Sequence, residues 1–120
     1  MLILIVDDSR AARMIVKKSL RQAGFGGHTV IEAGNGLEAL EAIAQDAPDL
    51  LLTDWAMPEM TGIELLRALQ EQGKKLNSVL ITSQGTDEMR EEARAAGALF
   101  LLTKPLSSER FREALEPVLG

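Results

Sequence analysis

Short apolar runs alternate along the chain with longer stretches in which apolar residues recur every three or four positions. This alternation predicts β-strands and α-helices in turn. The five predicted strands span Leu2 to Val6, Thr29 to Ala33, Leu50 to Thr53, Val79 to Thr82 and Leu99 to Leu102. Because polar residues interrupt these runs so rarely, we expect parallel strands with helices covering both faces.

Five helices are predicted between and after these strands. The first carries apolar residues from Ala12 to Ala23 on one face. Its other face is basic, which favours a solvated surface, and it consists of Arg10, Arg13, Lys17, Lys18 and Arg21. The second and third helices begin at Asn35 and Thr61, each followed three residues later by a glutamate, as in a side-chain cap. The fourth and fifth helices are predicted over Asp87 to Ala96 and Ser107 to Leu119.

Five strands alternating with five helices leave no space for a second domain, so we expect one domain over residues 1–120. Right-handed crossovers between parallel strands produce an open, doubly wound α/β sheet with helices on both faces. In such sheets the functional residues lie beyond the carboxyl ends of the strands, where the strand order reverses.

Composition narrows the classes of function. The chain has 13 Lys plus Arg against 18 Asp plus Glu, a net charge of −5, and no cysteine. The absence of cysteine excludes a thiol nucleophile, a cysteine zinc site and a disulfide scaffold. The acidic balance argues against direct binding of nucleic acid or an anionic membrane. The longest apolar run is too short for a membrane span or a signal peptide, so we expect a cytoplasmic protein.

Acidic residues follow two of the predicted strands. Asp7 and Asp8 come directly after the first strand and Asp54 after the third. If these strands are neighbours, three carboxylates converge and repel one another unless a cation neutralises them. Every candidate ligand is an oxygen, which favours Mg²⁺ over zinc.

The remaining strands add a hydroxyl and an ammonium group to the same edge. Thr82 and Ser83 end the fourth strand, and Lys104 and Pro105 follow the fifth. An acidic cluster with a metal, a hydroxyl and a lysine has the groups needed to hold a phosphoryl group, with Asp54 as its acceptor. The spacing to Lys104 favours Thr82 over Ser83 as the hydroxyl, without excluding Ser83.

The order of these motifs resembles the response-regulator receiver domains of two-component signalling, and most closely the single-domain chemotaxis-type regulators. The resemblance spans essentially the whole chain. Its motifs are Asp7-Asp8, Asp54-Trp55-Ala56-Met57-Pro58-Glu59-Met60-Thr61-Gly62, Thr82-Ser83, Ala96-Gly97-Ala98 and Thr103-Lys104-Pro105. It implies a flavodoxin-like fold with strand order 2-1-3-4-5.

The resemblance also implies a function. A histidine kinase or phosphotransfer protein passes a phosphoryl group to Asp54. Asp8, Asp54 and the backbone carbonyl of Ala56 hold Mg²⁺, with Asp7 contributing through water. Thr82 and Lys104 bind the phosphoryl group, and Pro105 forms a cis or tight turn after the lysine.

The expected output is a change in the surface formed by helix 4, strand 5 and helix 5, which binds a downstream protein target. We expect a protein that catalyses only its own phosphorylation and dephosphorylation. We also expect a monomer, with a weak dimer as the alternative.

Three positions depart from the family pattern or vary within it. Leu101 stands where the family usually has the Tyr or Phe that couples to the hydroxyl residue, and Phe100 is predicted to face the other side of the sheet. Ala56 and Gln84 occupy positions that tune the lifetime of the aspartyl phosphate, which the sequence leaves open.

Two alternative functions remain. A haloacid-dehalogenase-like phosphotransfer enzyme also uses an aspartate nucleophile, a hydroxyl, a lysine and Mg²⁺, but it places an Asp-x-Asp motif on its first strand. A receiver-like binding module independent of phosphorylation is the other. Nucleotide binding is not indicated, because no glycine-rich phosphate loop follows the first strand. A flavodoxin-like electron carrier is not indicated either, because the first turn is acidic where a flavin phosphate would need neutral or basic donors.

Overall fold

The computed structural model describes residues 1–119, which form five strands and five helices in strict alternation. The strands are β1 (Leu2–Val6), β2 (Thr29–Ala33), β3 (Leu50–Asp54), β4 (Ser78–Thr82) and β5 (Phe100–Thr103). The helices are α1 (Arg10–Gln22), α2 (Gly36–Gln45), α3 (Gly62–Glu71), α4 (Asp87–Ala95) and α5 (Ser108–Leu119). No helix within this range is long and apolar enough to cross a membrane.

All five strands pair in parallel, in the order β2-β1-β3-β4-β5. This confirms the predicted order and the doubly wound α/β class. The strand order reverses between β1 and β3, where Val6 lies opposite Thr53. The carboxyl ends of β1, β3, β4 and β5 therefore meet along one edge of the sheet, as expected.

Successive residues of each strand point into two separate apolar layers. Leu4, Leu51 and Leu80 pack with α2, α3 and α4, whereas Ile5 and Leu52 pack with α1 and α5. These side chains are buried almost completely. Because both faces of β1, β3 and β4 are covered, the sheet provides a rigid base for the loops at its carboxyl edge.

The predicted helix starts at Asn35 and Thr61 are N-caps in the structure. The Asn35 side chain accepts a hydrogen bond from the Glu38 N–H at 2.8 Å, and Thr61 and Glu64 form a reciprocal capping box. Each cap satisfies backbone N–H groups that have no partner inside the helix.

Four strand ends, in three strands, differ from the prediction by one residue. β3 continues to Asp54, β4 begins at Ser78, and β5 spans Phe100–Thr103 instead of residues 99–102. Leu99 is 48% exposed since it leads out of the turn at Gly97, whose φ is +95°. Apolar content alone could not distinguish this residue from the strand that follows it.

The basic face of α1 is only partly solvated, which corrects the prediction. Arg13 and Lys17 form ion pairs with Glu32 of β2, with N–O distances of 2.9 and 3.2 Å. Lys18, by contrast, is exposed. The sequence pattern could not reveal a partner that lies on a neighbouring strand.

Candidate functional site

Three carboxylates gather at the edge where the strand order reverses. Asp7 and Asp8 follow β1, and Asp54 ends the adjacent strand β3. One oxygen from each carboxylate lies within 4.8 Å of the others. Asp7 is 5% exposed and Asp54 8% exposed, whereas Asp8 is open to solvent. The predicted acidic cluster is thus brought together by the fold.

Asp7 is fixed by backbone hydrogen bonds. Its N–H donates to the Ala33 carbonyl at 3.2 Å, and its Oδ1 accepts from the Ser9 N–H at 2.9 Å. Burial raises the pKa of the Asp7 carboxyl above its usual value; the Ser9 N–H opposes this rise, and the nearby Asp54 carboxylate adds to it. The ionised form of Asp7 is therefore disfavoured, and a bound cation would relieve this.

Lys104 supplies a positive charge to the cluster. Its Nζ lies 2.9 Å from Asp54 Oδ1, and the Lys104 side chain remains 39% exposed. Its backbone N–H donates to the Thr82 carbonyl at 2.8 Å, which ties the end of β5 to the end of β4. The peptide bond between Lys104 and Pro105 is cis.

The hydroxyl position is occupied by a buried threonine. Thr82 is the last residue of β4 and is 7% exposed, and its Oγ1 accepts a hydrogen bond from the Gln84 N–H at 3.2 Å. Ser83 and Gln84 are exposed. Thr82 thus ends on the same edge as Asp54, while Ser83 faces solvent.

The segment after Asp54 is held against the sheet and against α3. The Trp55 N–H donates to the Ile81 carbonyl at 2.8 Å, and the Gly62 N–H donates to the Trp55 carbonyl at 2.9 Å. Ala56 is exposed just beyond Asp54, whereas Met57 is buried in the apolar layer with α3. Met57 is therefore a packing residue.

Gly62 allows this loop to pack closely. A Cβ atom at this position would lie 2.5 Å from the Asp54 carbonyl oxygen and 2.7 Å from Leu80 Cδ2. Real structures essentially do not contain such contacts. The sequence contained the glycine within a motif, but its spatial neighbours became apparent only in the structure.

Leu101 and Phe100 lie on opposite sides of the sheet. Leu101 is buried with α3 and α4, whereas Phe100 is half-buried against the other layer, as strand alternation predicts. The Leu101 carbonyl accepts a hydrogen bond from Arg90 of α4 at 3.4 Å. Leu101, which stands where the resemblance leads us to expect an aromatic residue, is therefore an aliphatic side chain inside the core.

A cavity of about 230 Å³ opens beside the cluster. Its walls include Asp7, Asp54 and Lys104, together with Ile15 of α1 and Leu106 of the segment after β5. Apolar side chains make up most of the lining.

The donor set fits a hard divalent cation. The groups that converge are carboxylates, two of them buried, and the described cluster contains neither imidazole nor thiolate. Oxygen-only ligands of high charge suit Mg²⁺, which keeps several water ligands and needs few from the protein.

Comparisons with known proteins point in one direction. The family model "Response regulator receiver domain" matches residues 3–116. Sporulation initiation phosphotransferase F of Bacillus subtilis is 32% identical over 117 residues, covering 98% of this chain and 92% of that protein. Chemotaxis protein CheY of Bacillus subtilis is 36% identical over 118 residues, covering 98% and 97%. The structure of chemotaxis protein CheY4 of Vibrio cholerae superimposes with a TM-score of 0.87 at 33% identity, covering 98% of each chain.

Proposed function

The chain belongs to the response-regulator receiver domains of two-component phosphorelays, and we propose that Asp54 is its phosphoryl acceptor. The observation that supports this role most strongly is the position of Asp54. It is the carboxylate that both joins the acidic cluster and pairs with Lys104, at 2.9 Å. Such an arrangement places a nucleophilic oxygen between a cation site and a fixed ammonium group.

The acidic cluster would hold Mg²⁺ through Asp8, Asp54 and the Ala56 carbonyl, with Asp7 acting through water. When bound, the ion would neutralise charge on the phosphoryl oxygens. Asp7 and Asp54 are buried among carboxylates, so the site is poorly compensated without a cation. Lys104 would pair with one phosphoryl oxygen and Thr82 would donate its hydroxyl to another.

In the reaction proposed, an Asp54 carboxylate oxygen attacks the phosphorus of a phosphohistidine. A P–O bond forms while the P–N bond of the donor breaks, and the electron pair of that bond remains on the imidazole nitrogen. The donor histidine belongs to a kinase or phosphotransfer protein, because the one histidine of the sequence, His28, lies just before β2, beside the amino terminus and at the edge of the sheet opposite Asp54.

The proposed output is a changed protein-binding surface on α4, β5 and α5. Thr82 and Lys104 lie at the ends of β4 and β5 and are joined by a backbone hydrogen bond, so movement of one displaces the other. Gln84 and Ala56 are exposed next to the acceptor and would set the access of water to the aspartyl phosphate. We propose a cytoplasmic, monomeric switch that catalyses only its own phosphorylation and dephosphorylation.

Trp55 fluorescence tests this proposal, since the indole directly follows Asp54 and is half-buried. Mg²⁺ is titrated first, and then beryllofluoride is added as a phosphoryl mimic. We expect a saturable, Mg²⁺-dependent response that is lost in Asp54→Asn. Thr82→Ala should weaken the response to beryllofluoride, whereas Ser83→Ala should leave it unchanged, because Ser83 is exposed.

The alternatives give different results. Steady turnover of p-nitrophenyl phosphate would support the haloacid-dehalogenase-like enzyme instead. A folded protein that shows neither a beryllofluoride response nor acid-labile phosphate after incubation with acetyl phosphate would support the phosphorylation-independent module. The first result would contradict a protein that catalyses only its own phosphorylation and dephosphorylation, and the second would contradict Asp54 as the acceptor.

A further inference from the structure

We propose that Arg13 of α1 is a positioning residue for the acidic cluster, because it holds the backbone that carries Asp7 and Asp8. This inference rests on the proposed cation-binding function. It concerns a residue that the sequence pattern assigned to a solvated helix face.

The Arg13 guanidinium makes two hydrogen bonds to different parts of the chain. Its Nε donates to Glu32 Oε1 at 2.9 Å, and its Nη1 donates to the Asp7 backbone carbonyl. The side chain is only 16% exposed. One planar group therefore connects the edge strand β2 to the turn that leaves β1.

Glu32 orients this guanidinium. It accepts from Arg13 and also from Lys17 Nζ at 3.2 Å, so two cations of α1 converge on one carboxylate. The hydrogen bond from Arg13 is the main cause that lowers the pKa of Glu32. An arginine can bridge two acceptors with its fixed fork of donors, whereas a lysine ammonium is a compact point charge.

The Asp7 carbonyl is a sensitive place to hold the chain. It belongs to the peptide unit between Asp7 and Asp8, so fixing its oxygen fixes the plane from which both side chains extend. The next residue, Ser9, caps α1 and donates its N–H to Asp7 Oδ1. Arg13 therefore acts on the geometry of the cluster through the backbone, without touching the carboxylates.

Positioning and simple charge make opposite predictions for Arg13. A cation near a metal site repels the metal, so an effect of charge alone would make the site tighter when Arg13 is removed. Loss of positioning would make it weaker, since groups that orient metal ligands typically contribute about ten-fold or more to metal affinity. The sign of the change thus separates the two explanations.

The test measures Mg²⁺ affinity through Trp55 fluorescence and by isothermal titration calorimetry. We expect Arg13→Ala to weaken Mg²⁺ binding by about ten-fold. We expect Arg13→Lys to restore less than half of the loss on a logarithmic scale, because lysine keeps the charge without the fork. Lys18→Ala is the matched control, since it removes one positive charge from an exposed position of the same helix.

A second readout does not depend on metal. Hydrogen exchange of the Ser9 amide in the metal-free protein should accelerate in Arg13→Ala and not in Lys18→Ala, while the amides of the buried strand β1 remain protected. Far-UV circular dichroism and the melting temperature establish that each variant is folded. In an Arg13→Ala background, Glu32→Gln should cause little further loss of Mg²⁺ affinity, because both residues act through one bridge.

The outcomes distinguish this inference from the function on which it rests. If the wild-type protein fails to bind Mg²⁺, both are wrong. If wild type binds Mg²⁺ but Arg13→Ala binds it equally or more tightly, Arg13 is not a positioning residue and the proposed function stands. Full recovery in Arg13→Lys would also overturn the inference, since it would show that the guanidinium bridge to Glu32 and the Asp7 carbonyl is not needed.

Discussion

Replacing Gly62 with alanine should damage both the fold and the cation site. The added Cβ would lie 2.5 Å from the Asp54 carbonyl oxygen and 2.7 Å from Leu80 Cδ2. The first neighbour is backbone of β3, which is paired on both sides and cannot move freely. The start of α3 must therefore shift away, or Asp54 must shift with its strand.

The size of the effect can be worked from these contacts. Overpacking a well-packed site reduces stability by about 1–3 kcal/mol. A Gly→Ala change also restricts the unfolded chain, and this effect stabilises the folded protein by about 0.4–1 kcal/mol. Taking the middle of each range, the net loss for Gly62→Ala is about 1.3 kcal/mol, which lowers the melting temperature by about 5 °C for a domain of this size. Mg²⁺ affinity should fall as well, because Asp54 is displaced.

Two other glycines provide matched controls. A Cβ at Gly27 meets nothing within 4 Å, and its φ is not positive, so Gly27→Ala should change stability by less than about 1 kcal/mol. A Cβ at Gly73 also meets nothing, but φ is +71°, so Gly73→Ala introduces backbone strain of about 1–2 kcal/mol away from the site.

Thermal unfolding and Mg²⁺ titration of the three variants separate the causes. We expect Gly73→Ala to lose stability while keeping its Mg²⁺ affinity, and Gly62→Ala to lose both. The reasoning fails if Gly62→Ala melts within 1 °C of wild type, or if it is destabilised yet binds Mg²⁺ as tightly as Gly73→Ala does.

Three further predictions concern charge. Lys104→Met should weaken beryllofluoride binding by about 100-fold, because a charged donor to the bound anion is lost. Mg²⁺ binding in the fluorescence assay should stay equal or become tighter, and weaker Mg²⁺ binding would contradict the role given to Lys104. Asp7→Asn should raise the free energy of unfolding, measured without Mg²⁺ at pH 7, by about 0.5–2 kcal/mol. Burial raises the folded-state pKa of Asp7, so the ionised side chain destabilises the wild-type fold. The advantage of the variant should therefore shrink as the pH falls and wild-type Asp7 becomes protonated. Glu32→Gln should reduce stability by less than about 1 kcal/mol, because the ion pair with Arg13 is partly exposed. Since the folded-state pKa of Glu32 is lowered, this loss of stability is present above the usual pKa of 4.5 and disappears as the pH falls through the folded-state pKa. Denaturant titrations at several pH values would detect it.

The apolar pattern was sufficient to predict the architecture because the signals for each strand and helix lie within that element's own short stretch of sequence. β1 and β2 have the predicted bounds, and the caps at Asn35 and Thr61 begin helices where the sequence places them. The alternation of Phe100 and Leu101 also follows from strand geometry alone. Strand ends were less certain, because one apolar residue such as Leu99 fits either the turn or the strand.

The candidate site was predictable where the fold itself assembles it. Asp7, Asp8 and Asp54 meet because they end neighbouring parallel strands, and the predicted order is sufficient to bring them together. Contacts that depend on side-chain reach were not predictable. The bridge from Arg13 to Glu32 joins residues 19 positions apart on different elements. The close approach at Gly62 likewise depends on how α3 settles against β3.

Because position 101 is a leucine and not an aromatic residue, we expect a change at Asp54 to reach the α4–β5–α5 surface through the backbone. Lys104 Nζ lies 2.9 Å from Asp54 Oδ1, so a phosphoryl group on Asp54 would require the ammonium to exchange a carboxylate oxygen for a phosphoryl oxygen. The Lys104 N–H is bonded to the Thr82 carbonyl, and Thr82 Oγ1 accepts from the Gln84 N–H. If the Thr82 side chain rotates to donate its hydroxyl to the phosphoryl group, we expect the bond from the Gln84 N–H to break, which would release the loop leading into α4. We therefore propose that a local change of charge would be transmitted by these two hydrogen bonds at adjacent strand ends, without rotation of an aromatic ring.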